Sequence, residues 1–355
     1  MNKKLQIVLL AAVAAIVAGV GWFAAHQTKK SESVAIRVLE STGPTQWELV
    51  KKLTGRDLLV EEGVKLEQIR TVQNGGGTVV LQALLANNID TGGSAWPAWI
   101  NIIARGGKIK ALLGTSVSTK DNNSGKGGLL VLDGSDIKTI KDLSGKRIAV
   151  NVLGAEADYV IREYLKKNGL SISQVELVVV PSENQEQMLR SKQVDAAAWT
   201  TNGGSYWDIT VEKGGVREIP GTRNFDVKGE TVFFGIGFRN DFIAKHPEVV
   251  RNYIRAYDSS RRILFDEFKK DPERVRKAHA EISLEKGGNP RMSKYYQASS
   301  WPPDFPFIND KDIQWWIDRF TADGLLKPGQ VKPSDIYTNE FNPLYKNEQG
   351  LVKKL

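Results

Sequence analysis

The stretch ALLANNIDTGGSAWPAWINIIARGGKIKAL, residues 83–112, contains a short strand, a turn, a helix and a second strand in succession. The first strand lies around Ile89, and the glycine-rich turn Gly92–Gly93–Ser94 follows it. The helix begins at Trp96, and the next strand begins at Ile109. Because β-branched runs, small-residue turns and amphipathic helices follow one another, this stretch predicts an α/β fold with a parallel sheet.

The same alternation continues on both sides of this stretch. Upstream, the strand at 35–40 and the turn at 41–44 precede a helix with Trp47, Val50 and Leu53 on one face. Downstream, a second set of strands and helices begins near residue 129 and ends near residue 199. After Gly229, the strand ETVFFGIGF is expected to return to the first set. The pattern therefore predicts two α/β lobes, with the chain passing twice between them.

Composition is that of a folded globular protein, with 355 residues, 41% hydrophobic and 25% charged. This length is enough for two lobes, each with its own core. The chain has 49 Lys and Arg against 41 Asp and Glu, a formal net charge of +8. The basic residues are scattered among acids, as in the segment 266–271, whereas nucleic-acid sites need clustered basic residues. We expect no nucleic-acid partner.

Catalytic and metal-binding motifs are missing from the sequence. It contains no cysteine, which excludes disulfides, thiolate metal sites, a cysteine nucleophile and a lipidated cysteine. The histidines His26, His246 and His279 are far apart in the chain, and no Gly-x-Ser-x-Gly or phosphate-loop motif occurs. We therefore expect a protein that is not an enzyme and that uses no cofactor, catalytic residue or metal.

The N-terminus has the pattern of an export signal. Lys3 and Lys4 precede an uncharged, largely apolar segment from Leu5 to Ala25. This segment is longer than the roughly 7–15 apolar residues of a usual signal peptide and approaches the roughly 20 that span a bilayer. We assign residues 1–33 to a signal peptide or an uncleaved membrane anchor with a short linker. The protein is expected in the periplasm or at the cell surface.

Three strings carry a resemblance to a known family. They are the opening stretch 83–112, the string DLSGKRIAVNVLGAEADYVIREYLKKNGL at 142–170, and MLRSKQVDAAAW at 188–199. In order and spacing, the chain resembles the nitrate, sulfonate and taurine class of ABC-importer binding proteins over roughly residues 34 to 330. The C-terminal IQWWIDRFTADGLL at 313–326 is similar to that family's closing helix.

The resemblance implies a type II periplasmic-binding-protein fold, with two α/β lobes, two crossing segments and a ligand cleft between the lobes. We expect residues 34–119 and 231–355 to form the first lobe and residues 120–230 the second. The implied partners are a small-molecule solute and the permease subunits of an importer in the inner membrane. We expect a monomer.

Candidate binding residues lie where strands end and helices begin. Open α/β sheets bind ligands at this edge, and helix N-termini attract anions there. For each turn, ordinary N-capping is the alternative explanation. The candidate ligand-binding residues are Thr42, Gly43, Gly76, Thr78, Ser94, Ala95 and Trp96 from the first lobe, Gly154, Ala155, Glu156, Trp199 and Thr200 from the second, and Phe233 from the returning strand.

Two features bear on the ligand. Glu156 either compensates the dipole of its helix or places a carboxylate in the cleft, where it would favour a ligand with a positive group. The tryptophans Trp96, Trp99, Trp199 and Trp207 either form an aromatic wall or pack in the core, and we expect at least two in the core. A sulfonate-like or taurine-like solute is therefore expected in preference to nitrate. The alternatives are a receptor for a thiamine-pyrimidine-type precursor and a membrane-anchored sensor subunit.

Overall fold

The structure of the protein is a computed structural model. It describes residues 34–41, 43–70, 76–119, 127–199, 204–298 and 307–343. The predicted export segment and the candidates Thr42 and Thr200 lie outside the described residues. None of the helices in the described ranges combines the length and the apolar character that a bilayer crossing needs.

Strands and helices alternate through the first two-thirds of the described chain, and helices dominate the last third. The strands are β1 (Ala35–Leu39), β2 (Lys65–Ile69), β3 (Thr91–Ala95), β4 (Ile109–Ser118), β5 (Leu129–Leu132), β6 (Arg147–Val150), β7 (Glu176–Val179), β8 (Ala196–Ala198), β9 (Val216–Glu218) and β10 (Thr231–Arg239). The α-helices are α1 (Gln46–Thr54), α2 (Leu58–Glu61), α3 (Gly76–Leu85), α4 (Trp96–Ala104), α5 (Glu156–Lys167), α6 (Gln185–Arg190), α7 (Gly204–Glu212), α8 (Asn224–Lys228), α9 (Asn240–Lys245), α10 (Pro247–Lys270), α11 (Pro272–Glu285), α12 (Asp310–Ala322) and α13 (Pro333–Ile336).

The strands form three sheets, with the orders β1–β2, β3–β10–β4 and β7–β6–β8–β5–β9. Strand β6 runs parallel to β7 and β8, but β5 is antiparallel to β8 and β9, and β10 is antiparallel to β3 and β4. The predicted α/β architecture is confirmed. The predicted parallel pairing occurs between β6 and its neighbours β7 and β8, whereas the pairs formed by β5 and β10 are antiparallel. The long-range return of β10 between β3 and β4 makes the second sheet antiparallel.

The predicted turn at Gly92–Gly93–Ser94 is instead the middle of strand β3. Ser94 pairs with Gly235 of β10, and Gly93 pairs with Ile236. A methyl group on Gly93 would lie 2.7 Å from the Phe234 ring and 2.9 Å from the Gly235 carbonyl oxygen. The glycines therefore let two strands approach closely, a use of glycine that a sequence pattern does not distinguish from a turn.

The largest apolar cluster contains residues of both predicted lobes, such as Trp96 and Ile148, and two smaller clusters lie on either side of it. Helices α1 and α2 bury Leu49, Val50 and Leu58 against α10 and α11. Around the five-stranded sheet, Trp199 and Trp207 pack with alanine and leucine side chains of β5, β6 and β8. The predicted lobe boundaries at residues 119–120 and 230–231 stay a prediction.

Helix α11 carries a half-buried histidine. His279 Nδ1 lies 2.7 Å from Ser293 Oγ, and its ring lies 4.4 Å from the ring of Tyr296. Burial lowers the pKa of His279 from 6.5 to about 4. The folded protein therefore holds this ring neutral at pH values where the unfolded chain protonates it.

Acidification is expected to destabilise the fold through His279. Since the folded pKa lies below the unfolded one, the unfolded state binds the extra proton, and stability falls as the pH drops from about 6.5 toward 4. We expect about 1 kcal/mol of loss between pH 7 and pH 5 from this partly exposed ring. Urea unfolding of the wild type and His279→Gln at both pH values measures it. If the wild type and His279→Gln lose the same free energy of unfolding between the two pH values, His279 is not the group responsible.

Candidate functional site

A cavity of about 330 Å³ lies between strands β1 and β3. At one end, Arg37 joins the strands, since its backbone N–H and its guanidinium Nε donate to the Asp90 carboxylate at 2.9 and 3.0 Å. Beyond this clamp the strands separate: Val38 and Leu39 line one side of the cavity, and Gly92 and Gly93 line the other. Splitting of the two strands thus opens a space inside the first lobe.

Three aromatic side chains form the helical side of the cavity. The ring of Trp47 on α1 lies 5.8 Å from that of Tyr253 and 5.9 Å from that of Tyr257, both on α10, in edge-on geometry. Burial raises the pKa of Tyr257 to about 12, an effect that the nearby Gln46 and Thr115 side chains partly offset. Both tyrosines therefore stay neutral near pH 7.

The polar groups that line the cavity are hydroxyls and amides. Gln46 is notable because its buried Nε2 makes no hydrogen bond of full geometry with the described residues. A buried donor without a partner costs about 1–3 kcal/mol. Within the described chain no charged residue lines the cavity, and the lining is Val38, Leu39, Ser41, Pro44, Thr45, Gln46, Trp47, Leu66, Gln68, Val80, Thr91, Gly92, Gly93, Ile236, Tyr253 and Tyr257.

The N-terminus of α3 lies at the junction of the two lobes. A methyl group on Gly76 would lie 3.6 Å from Val152 Cγ1 and 3.9 Å from Asn151 Nδ2, both in the segment that follows β6. Gly76 has φ of 61°, a left-handed value that favours glycine. On the other side, a methyl group on Gly77 would lie 2.8 Å from Ser94 Cβ. The structure therefore places Ser94 against Gly77, the residue after the candidate Gly76, and places the segment after β6 against Gly76.

The N-terminus of α3 is better suited to bind an anion than the N-terminus of α1. Its first turn contains no acidic residue, and the buried Thr78 hydroxyl has no hydrogen-bond partner among the described residues. By contrast, α1 is capped within the protein, because Thr45 Oγ1 accepts from the Glu48 N–H at 3.3 Å and the Glu48 carboxylate accepts from the Thr45 N–H at 2.7 Å. The positive dipole end of α3 and the Thr78 hydroxyl can therefore favour a negative group.

Unlike α3, helix α5 has acidic residues in its first turn, and its first residue is Glu156. Its carboxylate is 3% exposed and forms an ion pair with Lys228 at the end of α8, with Asn224 as a second donor at 3.3 Å. Burial lowers the pKa of Lys228, and the attraction of Glu156 opposes that shift. The Glu156 carboxylate is thus neutralised inside the protein, and its position gives no support to a positively charged ligand group.

Most aromatic candidates are core residues. The Trp96 indole is fully buried and donates to the Val232 carbonyl oxygen at 2.6 Å, and the Trp199 indole donates to the Ser182 carbonyl oxygen at 3.2 Å. Phe233 is also buried, beneath the ammonium group of Lys228. The prediction that at least two of the four tryptophans pack in the core is confirmed, since Trp96, Trp99, Trp199 and Trp207 are all buried.

The remaining candidates lie near the helix starts. Gly43 follows Ser41, whose hydroxyl donates to the Gly43 carbonyl oxygen at 2.9 Å. Gly154 donates its N–H to Asp158, and Ala155 is the N-cap of α5 without a capping hydrogen bond from its side chain. Ala155 and Ala95 are buried. No ligand contact of any candidate is established by these positions, and their binding role stays a prediction.

Sequence reasoning missed the cavity residues Gln46, Tyr253 and Tyr257, and it placed Trp47 on a core-facing helix stripe. Helical spacing assigns Trp47 and Tyr257 to buried faces, and both are partly buried. The spacing contains no sign that β1 and β3 separate next to them. A partial signal was present in the aromatic side chains Trp47, Tyr253 and Tyr257, which lie on two helices far apart in the chain.

Comparisons with known proteins agree with this architecture. A family model described as NMT1/THI5 like matches residues 60–269. A candidate binding protein of Brucella abortus is 24% identical over 278 residues, which cover 75% of this chain and 79% of that protein.

Solved structures share the fold at low sequence identity. The alkanesulfonate-binding protein SsuA of Xanthomonas axonopodis pv. citri, bound to MOPS, has a TM-score of 0.65 at 22% identity, over 87% of this chain and 99% of that one. The periplasmic aliphatic sulphonate binding protein SsuA of Escherichia coli has a TM-score of 0.64 at 18% identity, over 85% and 91%. The desulfurization enzyme DszB has a TM-score of 0.58 at 14% identity, over 86% and 97%. The predicted periplasmic-binding-protein fold is confirmed.

Proposed function

Because the chain belongs to the NMT1/THI5-like family, we propose that it is the solute-binding protein of an ABC importer, which captures a small organic anion by closure of its two lobes. It works outside the cytoplasm as a monomer and delivers the solute to permease subunits in the inner membrane. The relative named as a candidate binding protein and the sulfonate-binding proteins of the same fold support this assignment.

One observation carries the proposal. The start of α3 has two glycines and a Thr78 hydroxyl with no hydrogen-bond partner in the described part of the chain. It lies against Asn151 and Val152 of the segment after β6. An anion placed there would accept hydrogen bonds from α3 and contact the second lobe at the same time. Since the ligand would then hold both lobes, its binding would favour the closed arrangement.

The proposed head group is a sulfonate or a similar oxyanion. Glu156 is paired with Lys228 and so does not call for an amine on the solute. A taurine-like zwitterion therefore has no advantage over a simple alkanesulfonate. Nitrate offers no organic part for the aromatic cavity beside the junction.

Binding is expected to stabilise the fold, because the folded state binds the anion and the unfolded state does not. Ligand at about 100 times its Kd adds roughly 2.7 kcal/mol to the free energy of unfolding. Thermal unfolding with methanesulfonate, ethanesulfonate, taurine, nitrate and a thiamine-pyrimidine precursor, each in turn, tests this and ranks the solutes. Absence of a shift with every anion would overturn the proposal.

We propose binding without catalysis, although DszB shares the fold. The chain has no cysteine to act as a nucleophile. Incubation with an aromatic sulfinate such as biphenyl-2-sulfinic acid is expected to release no sulfite, with DszB as the positive control. Release of sulfite by this protein would establish an enzyme.

A further inference from the structure

We propose that the cavity between β1 and β3 is a second compartment of the binding site, which takes an uncharged, ring-sized part of the solute that bears a hydrogen-bond acceptor. The compartment rests on the proposed solute-binding function, but it lies inside the first lobe and is formed by residues outside the helix start that would hold the anion. The solute is then an anion with a neutral aromatic or heterocyclic tail.

The cavity is adjacent to the proposed anion site. Val80, on the second turn of α3, lines the cavity, while Gly76 and Gly77 begin the same helix. Strand β3 likewise contributes Gly92 and Gly93 to the cavity and Ser94 to the contact with Gly77. One helix and one strand therefore contribute residues to both places, which makes the cavity and the start of α3 neighbours in the first lobe.

The lining selects against a charged tail. It is built from apolar side chains, aromatic rings, hydroxyls and amides, and its residues carry no charge in the described structure. An ion that entered would lose its hydration without gaining a counter-ion, which is costly in a buried site. Tyr253 and Tyr257 are neutral near pH 7, because the ordinary tyrosine pKa is about 10 and burial raises it further, so no phenolate is present to attract a cation.

The aromatic side chains favour a ring. Trp47 packs edge-on against Tyr253 and Tyr257, the two tyrosine rings are tilted to each other, and all three line the cavity. Aromatic linings of this kind pack well against a further ring. The volume of about 330 Å³ is at the lower end of the range for small-molecule sites, about 300–1,000 Å³, and suits a single substituted ring.

The side-chain amide of Gln46 is the reason that we expect a hydrogen-bond acceptor on the tail of the solute. Its Nε2 is buried and lines the cavity near the Tyr257 hydroxyl, but it makes no hydrogen bond of full geometry with the described residues. A carbonyl oxygen or ring nitrogen on the tail would accept that hydrogen bond and remove the penalty of an unmade one. Without an acceptor, the ring would leave the amide unsatisfied.

The test uses benzamide as a neutral probe of the cavity and methanesulfonate as a probe of the anion site. Saturation-transfer NMR is expected to show benzamide bound to the full chain with millimolar affinity. Gln46→Leu is expected to weaken benzamide binding about tenfold and to leave methanesulfonate binding unchanged. Gln82→Leu, an exposed glutamine on α3 outside the cavity lining, is the matched control and should change neither.

Calorimetry then links the two sites. 4-Carbamoylbenzenesulfonate, which carries a neutral amide on its ring, is expected to bind at least tenfold more tightly than methanesulfonate, which has no ring. 1,4-Benzenedisulfonate has a charged group in place of the amide and is expected to bind more weakly than 4-carbamoylbenzenesulfonate. Gln46→Leu should remove most of the gain from the amide. Gln46→Leu removes a buried donor that lacks a hydrogen bond of full geometry, so its unfolding temperature is expected to stay within a few degrees of the wild type. An unchanged unfolding temperature shows that loss of binding does not reflect loss of folding.

The outcomes separate the two proposals. If benzamide fails to bind the wild type, or binds Gln46→Leu equally well, the proposed compartment is refuted, whether or not the protein binds sulfonates. If benzamide binding depends on Gln46 but no sulfonate binds, the compartment stands and the anionic head group is wrong.

Discussion

Replacing Lys228 with methionine is expected to destabilise the protein by about 3–5 kcal/mol, because it leaves the buried Glu156 carboxylate without its counter-charge. Lys228 and Glu156 are 2% and 3% exposed in their side chains. The ammonium group also lies 5.3 Å from the Phe233 ring and 5.2 Å from the Trp316 ring, so the substitution removes cation–π contacts as well. Urea unfolding monitored by circular dichroism measures the change.

The double variant Glu156→Gln with Lys228→Met is expected to recover most of this loss, because neither buried charge then remains. Lys51→Met, in the exposed pair with Asp57, is the matched control, and we expect no measurable change from it. If the double variant is as unstable as Lys228→Met alone, packing rather than the unpaired charge explains the loss.

Replacing Trp96 with alanine is expected to cost about 3–5 kcal/mol, the range for removing a large aromatic side chain from a core. Trp96 is fully buried, and its N–H donates to the Val232 carbonyl oxygen. Chemical unfolding measures the loss, and Trp96→Phe, which keeps a ring but removes the donor, should lose less. A ligand-contact role alone would predict weaker solute binding with little change in stability.

Gly235 provides an independent check on the position of Trp96. A methyl group on Gly235 would lie 2.5 Å from Trp96 Cη2, so Gly235→Ala is expected to cost about 1–3 kcal/mol by overpacking. In the Trp96→Ala background the same substitution should cost much less, since the ring is gone. Gly134→Ala is the control, because a methyl group at Gly134 meets no atom within 4 Å. Additive losses would contradict the close contact between Gly235 and Trp96.

The sequence was sufficient to predict the kind of fold but not the pairing of its strands. Periodicity located the strand at β10 and the helix at α12, because local patterns of apolar residues depend on the element itself. The direction of pairing depends on which distant strand lies alongside. Gly93 and Gly235 show the difficulty, since their close approach across β3 and β10 follows from a partner more than a hundred residues away.

The candidate site could likewise be predicted only in part from the sequence. The sequence showed the small-residue segments near the strand ends, and the structure places Ser94 against Gly77, next to the candidate Gly76. The binding role of these residues stays a prediction. Glu156 was ambiguous, because a carboxylate in a first helical turn has the same sequence signature whether it faces a cleft or a buried lysine. The cavity was not predictable, since it arises where β1 and β3 separate and no residue type encodes that separation.

The position of β10 also affects the order in which the protein can fold. Strands β3 and β4 flank β10 in the sheet, yet the entire five-stranded sheet lies between them and β10 in the chain. During synthesis or transport, the five-stranded sheet can form from contiguous residues, while β3 and β4 wait with unpaired edges for a strand that emerges later. Such edges are prone to pair with other chains. We therefore expect truncation before residue 231 to yield an aggregating product rather than a soluble half-protein.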